Sequence, residues 1–280
     1  MGIPDTLIVR ALLGALVAGA VAVAGRRAGS LSRGGHWAAC LLGTLVVAAS
    51  WSWGVLLAVF FVSSSLLTRL GRRRKEGRTE SILSGQSERN SGQVVANGGI
   101  FAALVVFGEA CGDSRLIVGG IGALAAAAAD TWATEIGTLW GGVPRSIRTG
   151  RAVQVGESGG VTVAGSTASL VAAALVALAA HGLFVLSEGG SDAPAGPVLL
   201  AVLLGGVGGS LGDSVLGATL QSKRWCARCR AWTERRVHTC DYRTQHASGL
   251  RWMTNDTVNL LATAIGAALA FITTVAFAPR

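Results

Sequence analysis

Four carboxylates lie inside apolar stretches of this chain, where a charge is energetically unfavourable. They are Glu109, Asp130, Glu135 and Asp213. A charged side chain at bilayer depth costs at least about 2.5–3.5 kcal/mol on insertion scales, so each is a candidate functional residue. Carboxylate oxygens are also the ligands that Mg²⁺ prefers in proteins.

Asp130 and Asp213 each belong to a stripe of small residues spaced four apart. The stripes are Gly122, Ala126, Asp130, Thr134 and Gly205, Gly209, Asp213, Gly217. Residues four apart share a helix face, and faces of small residues pack helix against helix. Both aspartates are therefore predicted to point into a helical bundle, where they would hold Mg²⁺. The structural alternative is a buried hydrogen-bonded pair with Ser or Thr neighbours.

The other two carboxylates require separate interpretations. Glu135 follows Asp130 by five residues, which turns it about 140° away on an ideal helix. It therefore serves a different partner, or the helix loosens there. Glu109 lies near the outer end of its helix and is interpreted as structural, with Arg10 or Arg115 as its partner.

The segment 140–160 combines three arginines with the glycine-rich turn "GESGG". The turn is predicted to lead directly into an apolar helix, and helix N-termini bind anions through backbone N–H groups. Arginines donate charge-assisted hydrogen bonds to phosphate oxygens. The segment is predicted to bind phosphate, against the alternative of an ordinary basic loop, through Arg145, Arg148, Ser158, Gly159 and Gly160.

Four further polar residues are expected at the same end of the bundle. Asn97 opens the fourth apolar segment, and Asn255, Asp256 and Asn259 open the last one. Asn255 and Asp256 serve either as helix N-caps or as ligands. Asn259 lies one turn further in, where capping does not explain it.

A cluster of metal-ligand types lies in "CARCRAWTERRVHTC". Cys-x2-Cys followed by His-x-Cys supplies four ligands for tetrahedral zinc: Cys226, Cys229, His238 and Cys240. With four protein ligands, a structural role is favoured over a catalytic one. The remaining cysteines, Cys40 and Cys111, are isolated and interpreted as inert.

The elements that position these groups are membrane helices. The chain is 51% hydrophobic and 14% charged, against about 25% charged in soluble domains. Apolar runs predict eight helices near 6–24, 37–50, 53–68, 95–110, 116–139, 162–186, 197–220 and 257–277. The first is interpreted as a retained helix rather than a signal peptide, because no convincing cleavage site follows "GRRAG". The 37–68 run is divided at "WSWG", with Trp51 and Trp53 placed at the membrane interface.

Charge supports this division of the chain. The segments 25–36, 69–93, 140–160 and 221–256 hold 21 of the 24 Lys and Arg residues, and eight helices place all four on one face. The positive-inside rule makes that face cytoplasmic. The opposite loop, 187–196, carries only Glu188 and Asp192. We therefore predict one all-α polytopic domain over 1–280, with a basic loop at 69–93 and a zinc knuckle within 221–256.

The order of these motifs resembles a known membrane family. "ERNSGQVVANGG", "ADTWATEIG", "PRSIRTG", "VGESGGVT", "GSLGDSVLGATLQ" and "NDTVN" are similar to the family of transmembrane protein 19 and plant phytyl-phosphate kinase, over roughly residues 30–277. The resemblance implies phosphoryl transfer from a nucleoside triphosphate, with CTP plausible, to an isoprenyl monophosphate. It marks Asp130, Glu135, Asp213, the Ser158–Gly160 turn, Asn255 and Asn259 as shared polar positions. Glu157 and Asp256 depart from the pattern.

The resulting expectation is a membrane-embedded prenyl-phosphate kinase in a bacterial inner membrane or an equivalent one. Asp130, Glu135, Asp213 and Arg145 would carry the catalysis, with Mg²⁺, structural Zn²⁺ and a nucleotide bound. The partners are membrane lipids and no nucleic acid, and the oligomeric state stays open. Two alternatives remain: a CTP-dependent cytidylyltransferase acting on a lipid phosphate, and a lipid or ion transporter.

Overall fold

Helices dominate the fold. The computed structural model describes residues 6–79, 88–188 and 195–277. Within these ranges nine helices run in order: α1 Leu7–Arg27, α2 Arg33–Ala49, α3 Trp51–Arg69, α4 Arg72–Thr79, α5 Ser91–Cys111, α6 Ser114–Trp140, α7 Val163–Glu188, α8 Ala195–Thr219 and α9 Asn255–Ala276. Seven of them are long and apolar enough to cross a membrane. The polytopic helical bundle predicted from the sequence is confirmed, and Asp192 lies outside the described residues.

The 37–68 run does divide, and it does so at Ser50. This residue ends α2 and caps α3, with its hydroxyl accepting a hydrogen bond from the backbone N–H of Ser52 at 3.3 Å. Trp53 lies in the first turn of α3, next to this division, but its side chain is only 3% exposed. Its indole N–H instead donates to Glu109 Oε1 at 2.6 Å. An exposed carboxylate at the end of α5 therefore provides the hydrogen-bond acceptor for a buried indole.

Glu109 was expected to pair with Arg10 or Arg115. Arg115 instead forms a salt bridge with Asp113 at 2.8 Å, beside the start of α6. Asp113 also caps α6 by accepting from the backbone N–H of Arg115 at 2.9 Å. The pairing of Glu109 with Arg115 was therefore wrong, because the sequence neighbour of Arg115 is closer.

Helix α6 forms the centre of the bundle. Its residues from Ile117 to Ala129 are all buried. The two stripes of small residues pack against each other as predicted, since a methyl group added at Gly209 on α8 would overlap Ala126 Cβ on α6. The backbone of α9 lies equally close, since a methyl group at Gly205 would approach Gly266 O to 2.6 Å. Small residues thus bring α6, α8 and α9 near enough for their polar ends to share one site.

The four basic segments lie on one face and contact each other in sequence order. The backbone N–H of Ser32 donates to Arg89 O at 3.0 Å, which joins 25–36 to 69–93. Arg78 of α4 donates to Gly142 O at 3.3 Å, and Ser158 donates to Glu234. Helix α4 was not predicted within the basic segment.

Two small sheets complete this face. Strands β1 Arg145–Ser146 and β2 Gly160–Val161 pair antiparallel within the 140–160 region. Strands β3 Lys223–Cys226, β4 Ala231–Thr233 and β5 Gln245–Ser248 form an antiparallel sheet in the order β4-β3-β5. The second sheet is the zinc-knuckle segment folded over the helix ends.

Candidate functional site

A polar cavity of about 390 Å³ opens at the ends of α3 and α5–α9, on the face of the basic segments. Helices run alternately up and down, so residues late in α6 and α8 meet residues early in α5, α7 and α9. The cavity wall includes nine of the residues predicted from the sequence: Asn97, Asp130, Glu135, Ser158, Gly159, Gly160, Asp213, Asn255 and Asn259.

Asp130 and Asp213 both line this cavity, and their carboxyl groups lie close enough to interact with each other. The Oδ2 atom of Asp213 is buried and has no hydrogen-bond partner among the described residues. Two carboxylates in contact cannot both stay ionised without a proton or a cation between them. The pair therefore has the composition and the unsatisfied oxygen that a hard cation such as Mg²⁺ requires.

The glycine-rich turn forms another part of the cavity wall. Gly159 adopts φ +81°, and a Cβ on it would lie 2.7 Å from Ala218 Cα of α8. Only glycine fits this conformation and this approach without strain. The expectation that the turn leads directly into a helix was wrong, since β2 and the capping Thr162 lie between Gly160 and α7. Thr162 Oγ1 accepts from the backbone N–H of Gly165 at 3.0 Å.

Glu234 is a further carboxylate of the cavity wall, and it was not predicted from the sequence. It follows β4 and accepts hydrogen bonds from the Ser158 hydroxyl and from Gln221 Nε2, the latter at 2.8 Å. Burial raises the pKa of Glu234 above its ordinary value, against the lowering effect of Ser158, Lys223 and Gln221. No local signal marked it, because it lies in a charged run between zinc-ligand types.

Glu157, a departure from the family pattern, also lines the cavity but carries its own counter-ion. Its Oε1 atom lies 3.0 Å from the ammonium of Lys223 on β3. Both side chains are about one quarter exposed, at 25% and 24%. The additional negative charge is thus offset by a lysine from the knuckle segment.

Glu135 serves a different partner from Asp130. Helix α6 continues unbroken to Trp140, so the choice left open by the sequence is resolved by geometry. Glu135 forms a salt bridge with Lys75 of α4 and accepts from Thr68 Oγ1 of α3 at 2.6 Å. It therefore ties α3, α4 and α6 together at the cavity edge.

Three predicted residues lie outside the cavity wall: Arg145, Arg148 and Asp256. Arg145 and Arg148 are exposed, and Arg145 donates to Gly150 O at 3.0 Å within its own loop. Asp256 packs against Gly92 at the start of α5.

The cap of α9 is neither of the two residues that the sequence offered. Thr254 caps the helix by accepting from the backbone N–H of Thr257 at 3.4 Å. Asn255 and Asp256 therefore lie inside the first turn, which leaves the Asn255 side chain available to the cavity.

Among the described residues, Arg89 is the arginine that lines the cavity, and it was not predicted as a site residue from the sequence. Its backbone is held between two residues of the α1–α2 connection, donating to Ser30 O at 2.9 Å and accepting from Ser32 at 3.0 Å. Burial lowers the pKa of its guanidinium, while the charge of Glu135 acts in the opposite sense.

The cysteine cluster assembles as its spacing predicts. The ligand atoms of Cys226, Cys229, His238 and Cys240 lie within 4.8 Å of one another. Cys226 Sγ is 3.7 Å from Cys240 Sγ, and His238 Nδ1 is 3.3 Å from the same sulfur. Tetrahedral zinc with Zn–S distances of about 2.3 Å places its sulfur ligands roughly 3.8 Å apart. The cluster could hold a metal ion and is compatible with zinc.

The motifs and the fold agree with comparisons against known proteins. The family described as integral membrane protein DUF92 matches residues 16–267. This chain belongs to the DUF92 family. The assignment, together with two plant relatives, confirms the family resemblance inferred from the motifs.

Relatives of this DUF92 protein occur in plants and cyanobacteria. Protein PGR of Arabidopsis thaliana is 36% identical over 78% of this chain and 81% of its own length. Protein VTE6, chloroplastic, from the same plant is 28% identical over 86% of this chain and 65% of its own length. An uncharacterized membrane protein of Synechocystis sp. is 30% identical over 84% of this chain and 80% of its own length. No solved structure matches the chain.

Proposed function

We propose that this protein is a membrane-embedded transferase that moves a phosphoryl group from a nucleoside triphosphate to a prenyl monophosphate such as phytyl phosphate. The observation that carries the proposal is the cavity in which Asp130 and Asp213 face a glycine-rich turn. Membership in a family of the phytyl-phosphate kinase type supports the substrate class. By the positive-inside rule, the cavity would face the cytoplasmic leaflet.

The donor phosphates would lie between the aspartate pair and the turn. Asp130 and Asp213 would hold Mg²⁺, which when bound neutralises charge on the phosphate oxygens. The unsatisfied Oδ2 of Asp213 and the contact between the two carboxyl groups fit such an ion. Ser158, Gly159 and Gly160 would position the donor phosphates, and Asn255 and Asn259 would orient the donor or the acceptor across the cavity.

The reaction needs positioning more than acid–base chemistry. An oxygen of the acceptor monophosphate bonds to the γ-phosphorus, while the bond from that phosphorus to the β,γ-bridging oxygen breaks and releases the nucleoside diphosphate. The acceptor is already an anion, so no general base has to remove a proton from it. We assign charge stabilisation of the phosphates to Arg89 rather than to the exposed Arg145 and Arg148, because Arg89 lines the cavity.

The knuckle would act as a structural zinc site. Cys226 ends β3, and Glu234 directly follows β4, the strand paired with β3. Zinc bound by the two cysteines of the β3–β4 turn with His238 and Cys240 would hold this hairpin closed. The hairpin in turn positions Glu234 against Ser158 of the glycine turn. The metal would thus shape the cavity without entering it.

The test is a transfer assay with purified protein in detergent or nanodiscs. The γ-labelled nucleotides CTP and ATP are offered with a panel of prenyl monophosphates, and both products are analysed. The proposal expects labelled prenyl diphosphate together with nucleoside diphosphate. Pyrophosphate release would identify a cytidylyltransferase and refute the kinase assignment.

The matched variants are Asp130→Asn and Asp113→Asn, both at aspartates of the α6 region. Asp130→Asn should reduce transfer by about 10²–10³-fold, the range seen when one group that stabilises the transition state is removed. Asp113→Asn should keep wild-type transfer, because Asn also caps helices and Asp113 is remote from the cavity wall. Equal activity of the two variants would remove Asp130 from the mechanism.

A further inference from the structure

A second cavity, almost wholly apolar, adjoins the polar one. It encloses about 230 Å³ between α1, α2, α3 and the start of α5. Of the 21 residues that line it, all but three are glycines or hydrophobic residues. The three exceptions are Arg89, Gln93 and Asn97, and the same three line the polar cavity. The two cavities therefore meet along one short polar boundary.

Arg89 places a cation at this boundary. Its guanidinium carbon lies 5.8 Å from the ring centroid of Phe60 and 6.0 Å from that of Phe61, both of which line the apolar cavity. Within residues 6–79, 88–188 and 195–277, the structure records no carboxylate in salt-bridge contact with Arg89. A desolvated guanidinium stacked on aromatic rings retains its donors for an anionic ligand.

The apolar cavity, hereafter the tail chamber, reaches the lipid-facing surface of the bundle. Its wall includes Val17 of α1 and Val55 of α3, each of which is also 48% exposed. A hydrocarbon chain could therefore pass from the bilayer between α1 and α3 without crossing any polar surface. Its phosphate end would then meet Arg89.

We propose that the tail chamber binds the prenyl chain of the acceptor and that Arg89, Gln93 and Asn97 hold its monophosphate at the boundary. This proposal rests on the proposed function and assigns the acceptor end of that site. The tail chamber is apolar and Arg89 supplies a cation at its boundary, which matches an amphiphile with a single anionic end. The donor-binding carboxylates lie beyond the boundary, in the polar cavity. The donor nucleotide would occupy the polar cavity beyond the boundary.

The size of the tail chamber sets how much chain it holds. A volume of about 230 Å³ is about one and a half times that of an apolar cavity of about 150 Å³ that binds benzene. The chamber therefore accommodates the first isoprene units next to the phosphate, and a longer chain continues between α1 and α3 into the lipid. Chain length beyond those units should matter little to selection.

The experiment narrows the tail chamber without touching its polar boundary. Ala58 of α3 lines the chamber and lies one helical turn, about 5 Å, from Phe61. Ala58→Phe should block the passage beyond the first isoprene unit. Val62→Phe is the matched control, since Val62 is on the same helix, 49% exposed and absent from the chamber wall.

Transfer is measured with dimethylallyl phosphate, a one-unit acceptor, and with geranylgeranyl phosphate, a four-unit acceptor. Ala58→Phe should lower kcat/KM for the four-unit acceptor relative to the one-unit acceptor by at least about tenfold, since steric and apolar contacts of this size are worth that much. Val62→Phe should leave the ratio unchanged. If both variants keep the wild-type ratio, the tail does not use this chamber, although the proposed function stands.

A binding measurement separates the two proposals when no transfer is seen. A geranylgeranyl phosphate analogue with a diazirine near the phosphate is photolysed with wild-type protein, and the adducts are mapped by mass spectrometry. Adducts on α1, α2 and α3 segments that line the chamber, lost in Ala58→Phe, support the tail site even if the transferase assignment fails. Adducts confined to α7 or α8 would overturn it.

Discussion

The ion pair of Lys75 and Glu135 gives the most quantitative test of how the cavity edge is built. Lys75 on α4 donates to Leu67 O at 2.7 Å and Thr68 O at 2.9 Å, which are carbonyls in the last turn of α3. Its salt bridge to Glu135 joins the same lysine to α6. The side chains of Lys75 and Glu135 are 9% and 17% exposed, so the pair belongs to the buried class.

Lys75→Met would remove the cation and leave the Glu135 carboxylate with only the Thr68 hydroxyl recorded here as a partner. Removing one member of a buried pair costs about 3–5 kcal/mol, mostly because the remaining charge is uncompensated. That corresponds to a decrease in unfolding temperature on the order of 10 °C for a chain of this size class. Glu135→Gln should cost less, because the lysine retains both α3 carbonyls as acceptors.

The assay is a double-mutant cycle on thermal unfolding in detergent, with Lys75→Met, Glu135→Gln and both together. The double variant should be more stable than Lys75→Met alone, because the uncompensated carboxylate is gone. Strictly additive shifts would refute the coupling. Arg74→Met, which removes an exposed cation from the same helix, serves as the control. It should change the free energy of unfolding by less than about 0.5 kcal/mol.

Three further predictions concern the knuckle and the glycine turn. Cys226→Ser should release bound zinc, which elemental analysis measures. It should also remove a stabilisation of about 2.7 kcal/mol or more when the zinc concentration exceeds Kd a hundredfold. Unchanged zinc content and unchanged stability would exclude the site. Burial raises the pKa of Glu234, so its contribution to stability is full below its ordinary pKa and is lost as pH rises through the native value. Glu234→Gln should therefore become progressively more stable than wild type as pH rises in magnesium-free buffer, and a constant difference across the pH series would contradict this. Gly159→Ala should lower the free energy of unfolding by about 1–3 kcal/mol through backbone strain and by more through overlap with Ala218. Gly150→Ala is the control, because Gly150 has φ +68° and nothing within 4 Å, so it should lose only the strain contribution. Equal losses would contradict the close packing on α8.

Most of the helical scaffold could be predicted from local sequence. Eight apolar runs correspond to eight of the helices, because membrane helices must be long, apolar and internally hydrogen-bonded. A division of the 37–68 run was predicted at "WSWG" from length and charge, and the structure places it at the adjacent Ser50. Helix α4 escaped prediction because it has no apolar periodicity, and Lys75 ties it to partners from α3 and α6 that are distant in sequence.

The polar site was predictable only where a residue was out of place in its own segment. Asp130 and Asp213 attract attention as charges in apolar helices, and the cysteine spacing identifies its cluster directly. Glu234 and Arg89 carry no such signal, because each lies among other charged residues outside the apolar helices. Conversely, Arg145 and Arg148 appeared suitable for phosphate binding but are exposed and lie outside the cavity wall.

The sequence by itself determined the membrane scaffold, the helix faces that pack and the ligand types of the knuckle, because these depend on composition and short-range periodicity. Only the tertiary structure decided which polar groups share the cavity, since that depends on how α5 to α9 alternate in direction and where the knuckle sheet folds. It also decided that Glu135 pairs with Lys75, and that an apolar chamber meets the polar cavity at Arg89. These are contacts between segments far apart in the chain, and no local pattern encodes them.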